Sequence, residues 1–243
     1  MAPTDQSIAP MHGKLLLAVD TCGPAGSVAL GRLAGRDLEI LGETELEGRS
    51  YSATLVTAVA DLLVAAGASV GDLGGIIVVN GPGSFTGVRV GLSAVKGLAE
   101  ADQIPVVAVS RLKVLLRKGQ VTAAALDAHR GEIFLRIERS GRNAEELLAG
   151  LEELASIHPA PVRIAVCDEA AAAMLAAAWP ETQQVRVAAP RASDSMRIGE
   201  ALLVAGVAQD LALLDGHYLR RSDAEIFGPG NMAAQGTPRP DKS

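Results

Sequence analysis

Apolar residues along this chain fall into runs with two different periods, and the changes between them mark the elements. Residues 15–19 (Leu-Leu-Leu-Ala-Val) are an unbroken apolar run ending in Asp20-Thr21 and the turn formers Cys22-Gly23-Pro24, which predicts a buried strand leaving into a loop. Residues 26–31 and 38–46 supply two further strands, so the chain opens as a three-strand meander and not as a βαβ unit. From 50 to 66 the apolar positions Tyr51, Leu55, Val59, Leu62, Leu63 and Ala66 recur at three- and four-residue spacing, with Gly67 as a stop, and predict an amphipathic helix. A continuous apolar run at 76–80 reads as a buried parallel strand. It feeds Gly81-Pro82-Gly83-Ser84-Phe85-Thr86-Gly87, a second helix over 88–101 and a fifth strand over 105–109.

The first half therefore reads β-β-β-α-β-α-β, and a similar opening returns at 121–127 and 132–138, which suggests a structural repeat. Beyond it come a polar helical stretch at 144–154, a strand at 163–167 and helices at 169–178 and 195–205. The expected division is a first lobe over 14–110 and a second over 111–226, with disordered tails at 1–13 and 227–243, where periodic apolar residues are missing.

Composition narrows the class. The chain is 49% hydrophobic but only 2% aromatic, so its core must be built from Ala, Val, Leu and Ile, as suits strands packed between Ala-rich helices in an α/β protein. A formal charge of -6 lacks the basic footprint that unaided nucleic-acid binding needs, so any RNA would be held by another subunit. The longest apolar stretches, such as 170–179, fall short of the roughly 18–20 residues that span a bilayer. The polar first 14 residues do not read as a signal peptide, and a cytoplasmic location is expected. Cys22 and Cys167 are far apart and read as reduced thiols.

The most distinctive segment is 81–87, a glycine-rich turn between a strand and a helix. Backbone N–H groups and a helix dipole at such a place receive phosphate or carboxylate. The competing reading has Gly81 and Gly83 serving a tight turn while Ser84 or Thr86 caps the helix. The spacing Gly-x-Gly-x-x-x-Gly matches neither a dinucleotide fingerprint nor a P-loop, and Ser84 lacks the flanking glycines of a hydrolase elbow. Asp20, at the carboxyl end of the first strand, faces a nucleotide or metal-bound water in one reading and organises its own turn in the other; Asp127 has the same two readings. His12, His129, His158 and His217 never fall at metal-pair spacing, so no metal site is expected. Glu145-Glu146 and Glu152-Glu153 read as the solvated face of a polar helix and receive no role.

Three stretches together resemble the TsaB (YeaZ) family: Leu17-Ala18-Val19-Asp20-Thr21, Asn80 through Gly91 (Asn-Gly-Pro-Gly-Ser-Phe-Thr-Gly-Val-Arg-Val-Gly), and Leu126-Asp127-Ala128-His129-Arg130-Gly131-Glu132. The similarity runs from about residue 15 to 134 and returns at His217-Tyr218-Leu219-Arg220-Arg221. The resemblance implies an actin-like, Hsp70-type ATPase fold of two lobes, each a mixed β-sheet with flanking helices.

It further implies a subunit without catalytic residues that forms a heterodimer with TsaD, joined by TsaE, in making threonylcarbamoyladenosine in tRNA. RNA would be reached only through that complex, and the free chain is a candidate homodimer. Asp20, Thr21, Gly81, Gly83, Ser84, Thr86 and Gly87 are the candidates for facing a nucleotide or anion, with ATP or ADP at or near the complex interface as the candidate cofactor. The two first-lobe helices would meet the partner, with Tyr51, Leu55, Val59, Leu62, Arg89, Leu92, Val95 and Lys96 as candidate contacts. Tyr51 stands where relatives usually carry His, and His129 where they carry Arg, so polar roles there do not transfer. The alternative function is an independent ATP-dependent kinase or ATPase of the same fold; a peptidase lacks a nucleophile or metal constellation.

Overall fold

The computed structural model describes residues 13–34, 37–47 and 50–220. The first lobe contains β1 (Leu15–Asp20), β2 (Ala25–Ala34), β3 (Asp37–Glu47), α1 (Tyr51–Ala65), β4 (Leu73–Val79), α2 (Phe85–Asp102) and β5 (Val106–Val109). After α3 (Arg111–Gly119) come β6 (Ala123–Asp127), β7 (Ile133–Ile137), β8 (Glu145–Ala149), α4 (Leu151–Ser156), β9 (Arg163–Val166), α5 (Glu169–Ala178) and β10 (Gln183–Arg186), and α6 (Ala192–Val204) follows.

The two sheets are built alike. The first runs β3-β2-β1-β4-β5 and the second β8-β7-β6-β9-β10, with the opening meander antiparallel and the later strands parallel in both. The repeat suggested by the sequence is thus complete, and the fold is the duplicated two-lobed α/β arrangement expected of the actin-like class.

Strand alternation decides which layer each side chain enters. On β1, Leu15, Leu17 and Val19 pack with Ile76 and Val78 under α1 and α2. Leu16 and Ala18 point the other way, against Ile77, Val109, Val114 and Met196. The second sheet divides in the same manner: Ala123, Ile133, Leu135 and Val166 lie under α4 and α5, while Ala124, Leu126 and Phe134 meet Leu112, Leu115 and Leu116 of α3. Each fully buried Leu or Ile here stabilises by roughly 1.5–3 kcal/mol.

The connections cross over between the lobes. α6, late in the chain, covers the first sheet, whereas α3 covers the second, and the two helices touch each other. Lys118 of α3 pairs with Asp194 of α6, and the buried Ser27 hydroxyl of β2 accepts the Ala192 N–H at 2.7 Å. Among the described residues no helix is long and apolar enough to cross a membrane.

Three local features differ from the sequence reading. Residues 144–154 are not one polar helix: Glu145 and Glu146 lie on β8, which pairs with β7, and Gly150 separates that strand from α4. Pairing with β7 decides the strand, because Leu147 and Leu148 then face opposite layers beside Leu135 and Phe134. The nine-residue α3 and the four-residue β10 were not foreseen, the first because its apolar residues sit in one short cluster, the second because Gln183-Gln184-Val185-Arg186 is mostly polar. The two expected tails fall at 1–13 and 227–243, and all of the second and all but Gly13 of the first lie outside the described residues.

Candidate functional site

β1, β4 and α2 bring the glycine-rich loop onto the turn after β1. Asp20 is 1% exposed; its Oδ1 accepts the Cys22 N–H at 2.8 Å and its Oδ2 accepts the Arg111 Nε–H at 3.3 Å. Thr21 donates its hydroxyl to the Gly87 carbonyl at 2.7 Å. The Ser84 N–H donates to the Cys22 carbonyl at 2.8 Å, Arg111 N–H to the Gly81 carbonyl at 2.7 Å, and Gly87 N–H to the Ser84 hydroxyl at 3.2 Å, capping α2. A Cβ at Gly83 would overlap the Cys22 carbonyl oxygen and one at Gly87 the Thr21 carbonyl oxygen. These glycines let two backbones touch.

The structure thus gathers Asp20, Thr21, Gly81, Gly83, Ser84 and Gly87 at one place, with Thr86 exposed on the first turn of α2. Their polar groups answer one another. Both Asp20 oxygens are engaged within the chain and its charge is met by a buried guanidinium, so as built this crevice does not fit a metal-bound nucleotide. Asp20 and Arg111 shape their neighbours: burial, then the Asp20 charge, push the Cys22 thiol well above its ordinary pKa and the Tyr51 phenol up to about 12. Tyr51 remains a donor, to the Gly23 carbonyl at 2.8 Å. The second lobe repeats the turn at Asp127, whose Oδ1 accepts the His129 N–H at 2.7 Å, but there the histidine ring is exposed and lies 2.8 Å from Oδ2.

α1 and α2 lie side by side on the outer face of the first lobe. Tyr51, Leu55, Val59, Leu92 and Val95 are all 5% exposed or less and belong to the lobe's own core. Leu62 and Lys96 are half-buried and Arg89 is exposed. The surface the helices offer is made by their other side chains: Val56 and Val64 are 57% and 76% exposed, and a groove of about 440 Å³ runs between Ser52, Val56, Arg89, Val90, Ser93 and Ala94. Arg89 stacks its guanidinium 3.9 Å from the Phe85 ring centroid, which holds the charge at the groove's edge.

A third cluster went unread in the sequence. Glu146 is buried, with Ser110 Oγ–H donating to its Oε1 at 2.6 Å, Arg136 donating to the same oxygen, and His217 Nε2 lying 2.7 Å from Oε2. Burial disfavours its charge, but the bonds from His217, Ser110 and Arg136 prevail and hold its carboxyl below the usual range. The signal missed was pairing: as a strand residue beside Arg136, Glu146 faces inward. Among the described residues no three His, Cys, Asp or Glu side chains converge as a metal-binding group.

Comparison with known proteins places the chain. Residues 45–230 match the family model described as TsaD, tRNA N6-adenosine threonylcarbamoyltransferase. The chain is 36% identical over 125 residues to the tRNA threonylcarbamoyladenosine biosynthesis protein TsaB of Escherichia coli, covering 49% of this chain and 52% of that protein. It is 34% identical over 123 residues to the protein of the same name from Bacillus subtilis, with coverage of 49% and 52%. The chain therefore spans about half the length of the curated relatives it matches. The crystal structure of YeaZ from Pseudomonas aeruginosa superposes with a TM-score of 0.67 at 26% identity, over 85% of this chain and 100% of that one. A second crystal structure, described as similar to peptidase YeaZ from the same organism, gives 0.70 at 26% identity with the same coverage. The model match, the TsaB relatives and the YeaZ superposition agree with the duplicated fold, and the chain belongs to the TsaB (YeaZ) family within that threonylcarbamoyltransferase group.

Proposed function

We propose that this chain is a non-catalytic scaffold or activator subunit in the synthesis of threonylcarbamoyladenosine in tRNA, and that it acts by binding a TsaD homologue through α1 and α2, with a TsaE homologue joining. The observation that carries this reading is the helix surface itself. Val56 and Val64 are exposed large aliphatics, the adjacent groove is lined mainly by small and apolar side chains, and Arg89 is fixed at its edge. Exposed contiguous apolar surface on a protein otherwise well packed marks an association site. The relatives' printed role in threonylcarbamoyladenosine biosynthesis supplies the pathway, and the TsaD model that covers 45–230 supports a partner built on the same pattern. The engagement of Asp20 by Arg111 favours the scaffold reading over an ATP-dependent enzyme, since a nucleotide-bound cation would have to displace a buried internal one.

Complex formation tests the proposal. Light scattering on a column should show this chain and the TsaD homologue of the same cell co-eluting as one species, and Val56→Arg should abolish it while leaving the fold intact. Separate elution of two well-folded proteins would rule out the proposed contact.

A further inference from the structure

After α6 the chain doubles back as a strap over 207–220 that touches both lobes. Gln209 N–H donates to the Val106 carbonyl at 2.8 Å along the edge of β5, and His217 N–H donates to the Asn80 carbonyl at 2.7 Å, where β4 enters the glycine-rich loop. Leu214 is buried in the first-lobe core and Tyr218 packs against it, its ring 4.8 Å from Phe85. Leu219 then enters the second-lobe core, and Arg220 pairs with Glu132 and donates to the His129 carbonyl. The strap is therefore attached to the loop and first turn of α2 on one side and to β7 on the other.

One polar contact joins the strap to the centre of this arrangement. His217 Nε2 lies 2.7 Å from Glu146 Oε2, and that oxygen is buried with no other group of the chain bonded to it. The remaining charges around the ring are Arg136 on β7, itself shared with Glu138, Lys113 on α3 beside Glu146, and Asp210 and Asp215 of the strap, which line one groove with His217. Glu146 Oε1 is already satisfied by Ser110 and Arg136, so only His217 answers the second oxygen.

We propose that the His217–Glu146 pair is a protonation-dependent latch that fastens the strap across the two lobes and thereby fixes the loop and first turn of α2, from Asn80 through Phe85 to Arg89. With the imidazole charged, a buried carboxylate oxygen meets a cation. On deprotonation a neutral ring retains a bond to it but the charge is gone, and the strap loosens. Histidine changes charge between about pH 5 and 8, so the latch is closed at the acid end of that range and weakened at the alkaline end. The route onward is physical contact: strap to Tyr218, Tyr218 to Phe85, and Phe85 to the Arg89 guanidinium.

Hydrogen exchange of the full chain tests this, with intrinsic rates corrected at each pH. Between about pH 5.5 and about pH 8, amides of 216–220 and 81–89 should lose protection by roughly three- to tenfold, the scale of a partly buried ion pair, while those of α5 hold steady. His217→Gln, which keeps a neutral donor at a half-exposed position, should remove the pH dependence. An unchanged strap in the parent chain, the same dependence in His217→Gln, or an equal loss in α5 would each overturn the latch.

Discussion

Arg111, the first residue of α3, reaches back to Asp20 at the end of β1 and bonds it at 3.3 Å, with side-chain exposures of only 7% and 2%. The pair joins the start of the inter-lobe helix to the first turn of the chain. It also places a cation of the protein's own where the sequence had suggested a ligand.

Removing one partner should cost more than removing both. Arg111→Met leaves a buried carboxylate unpaired and should destabilise the chain by about 3–5 kcal/mol. Adding Asp20→Asn should restore at least about 1 kcal/mol of that, a coupling measured by urea unfolding of the two single variants and the double. A loss no larger than that from an exposed arginine would contradict the pairing.

The glycines of α2 should divide by environment. Gly87→Ala drives a methyl group into the Thr21 carbonyl and should cost about 2 kcal/mol or more, visible as a lowered Tm. Gly97, exposed and with open space around its would-be Cβ, should behave oppositely in the free chain. Gly97→Ala should stabilise α2 by about 0.5–1 kcal/mol. It lies one turn beyond Ser93, so the same methyl group should weaken partner binding when titrated calorimetrically.

Adjacent residues of α1 should have separable effects. Leu55→Ala opens a cavity under the helix and should cost about 2–5 kcal/mol of stability. Val56→Arg should leave stability within about 0.5 kcal/mol and remove partner binding. Thermal melts and co-elution, run on both variants, distinguish burial from interface.

The fold was largely legible in the sequence because its signals are local. The apolar run at 15–19, the helical spacing of Tyr51, Leu55 and Val59, and the glycine-rich loop each specify an element without reference to distant residues. What was not legible depends on contacts across the chain. Glu146 looked like a solvated residue until β8 paired with β7, and Arg111 had no visible partner because Asp20 lies 91 positions away. Helical spacing marked Leu55, Val59 and Leu92 as one face, but periodicity alone does not say whether that face meets the sheet or a partner; burial assigns it to the sheet.

Tyr51 gives a spectroscopic prediction. Burial holds its phenol protonated up to about pH 12, whereas an unfolded tyrosine ionises near pH 10. A folded pKa above the unfolded one stabilises at lower pH and loses that contribution as pH rises from about 10 to about 12. Tyrosinate absorbance should show a step near pH 12 that disappears in Tyr51→Phe. Glu146 has the opposite sign: its lowered pKa stabilises above the ordinary glutamate range and is lost as pH falls through its folded value, so Glu146→Gln should flatten the acid limb of a stability profile.

The central claim is tested most directly by threonylcarbamoyl transfer to unmodified tRNA, using the TsaD and TsaE homologues of the same cell with bicarbonate, threonine, ATP and the carbamoyl-adenylate synthase, in the presence and absence of this chain. The scaffold account predicts product only when the chain is present, no ATP turnover by the chain alone, and loss of product with the folded Val56→Arg variant. Product formed equally without the chain, or ATP turnover by the isolated chain, would contradict it.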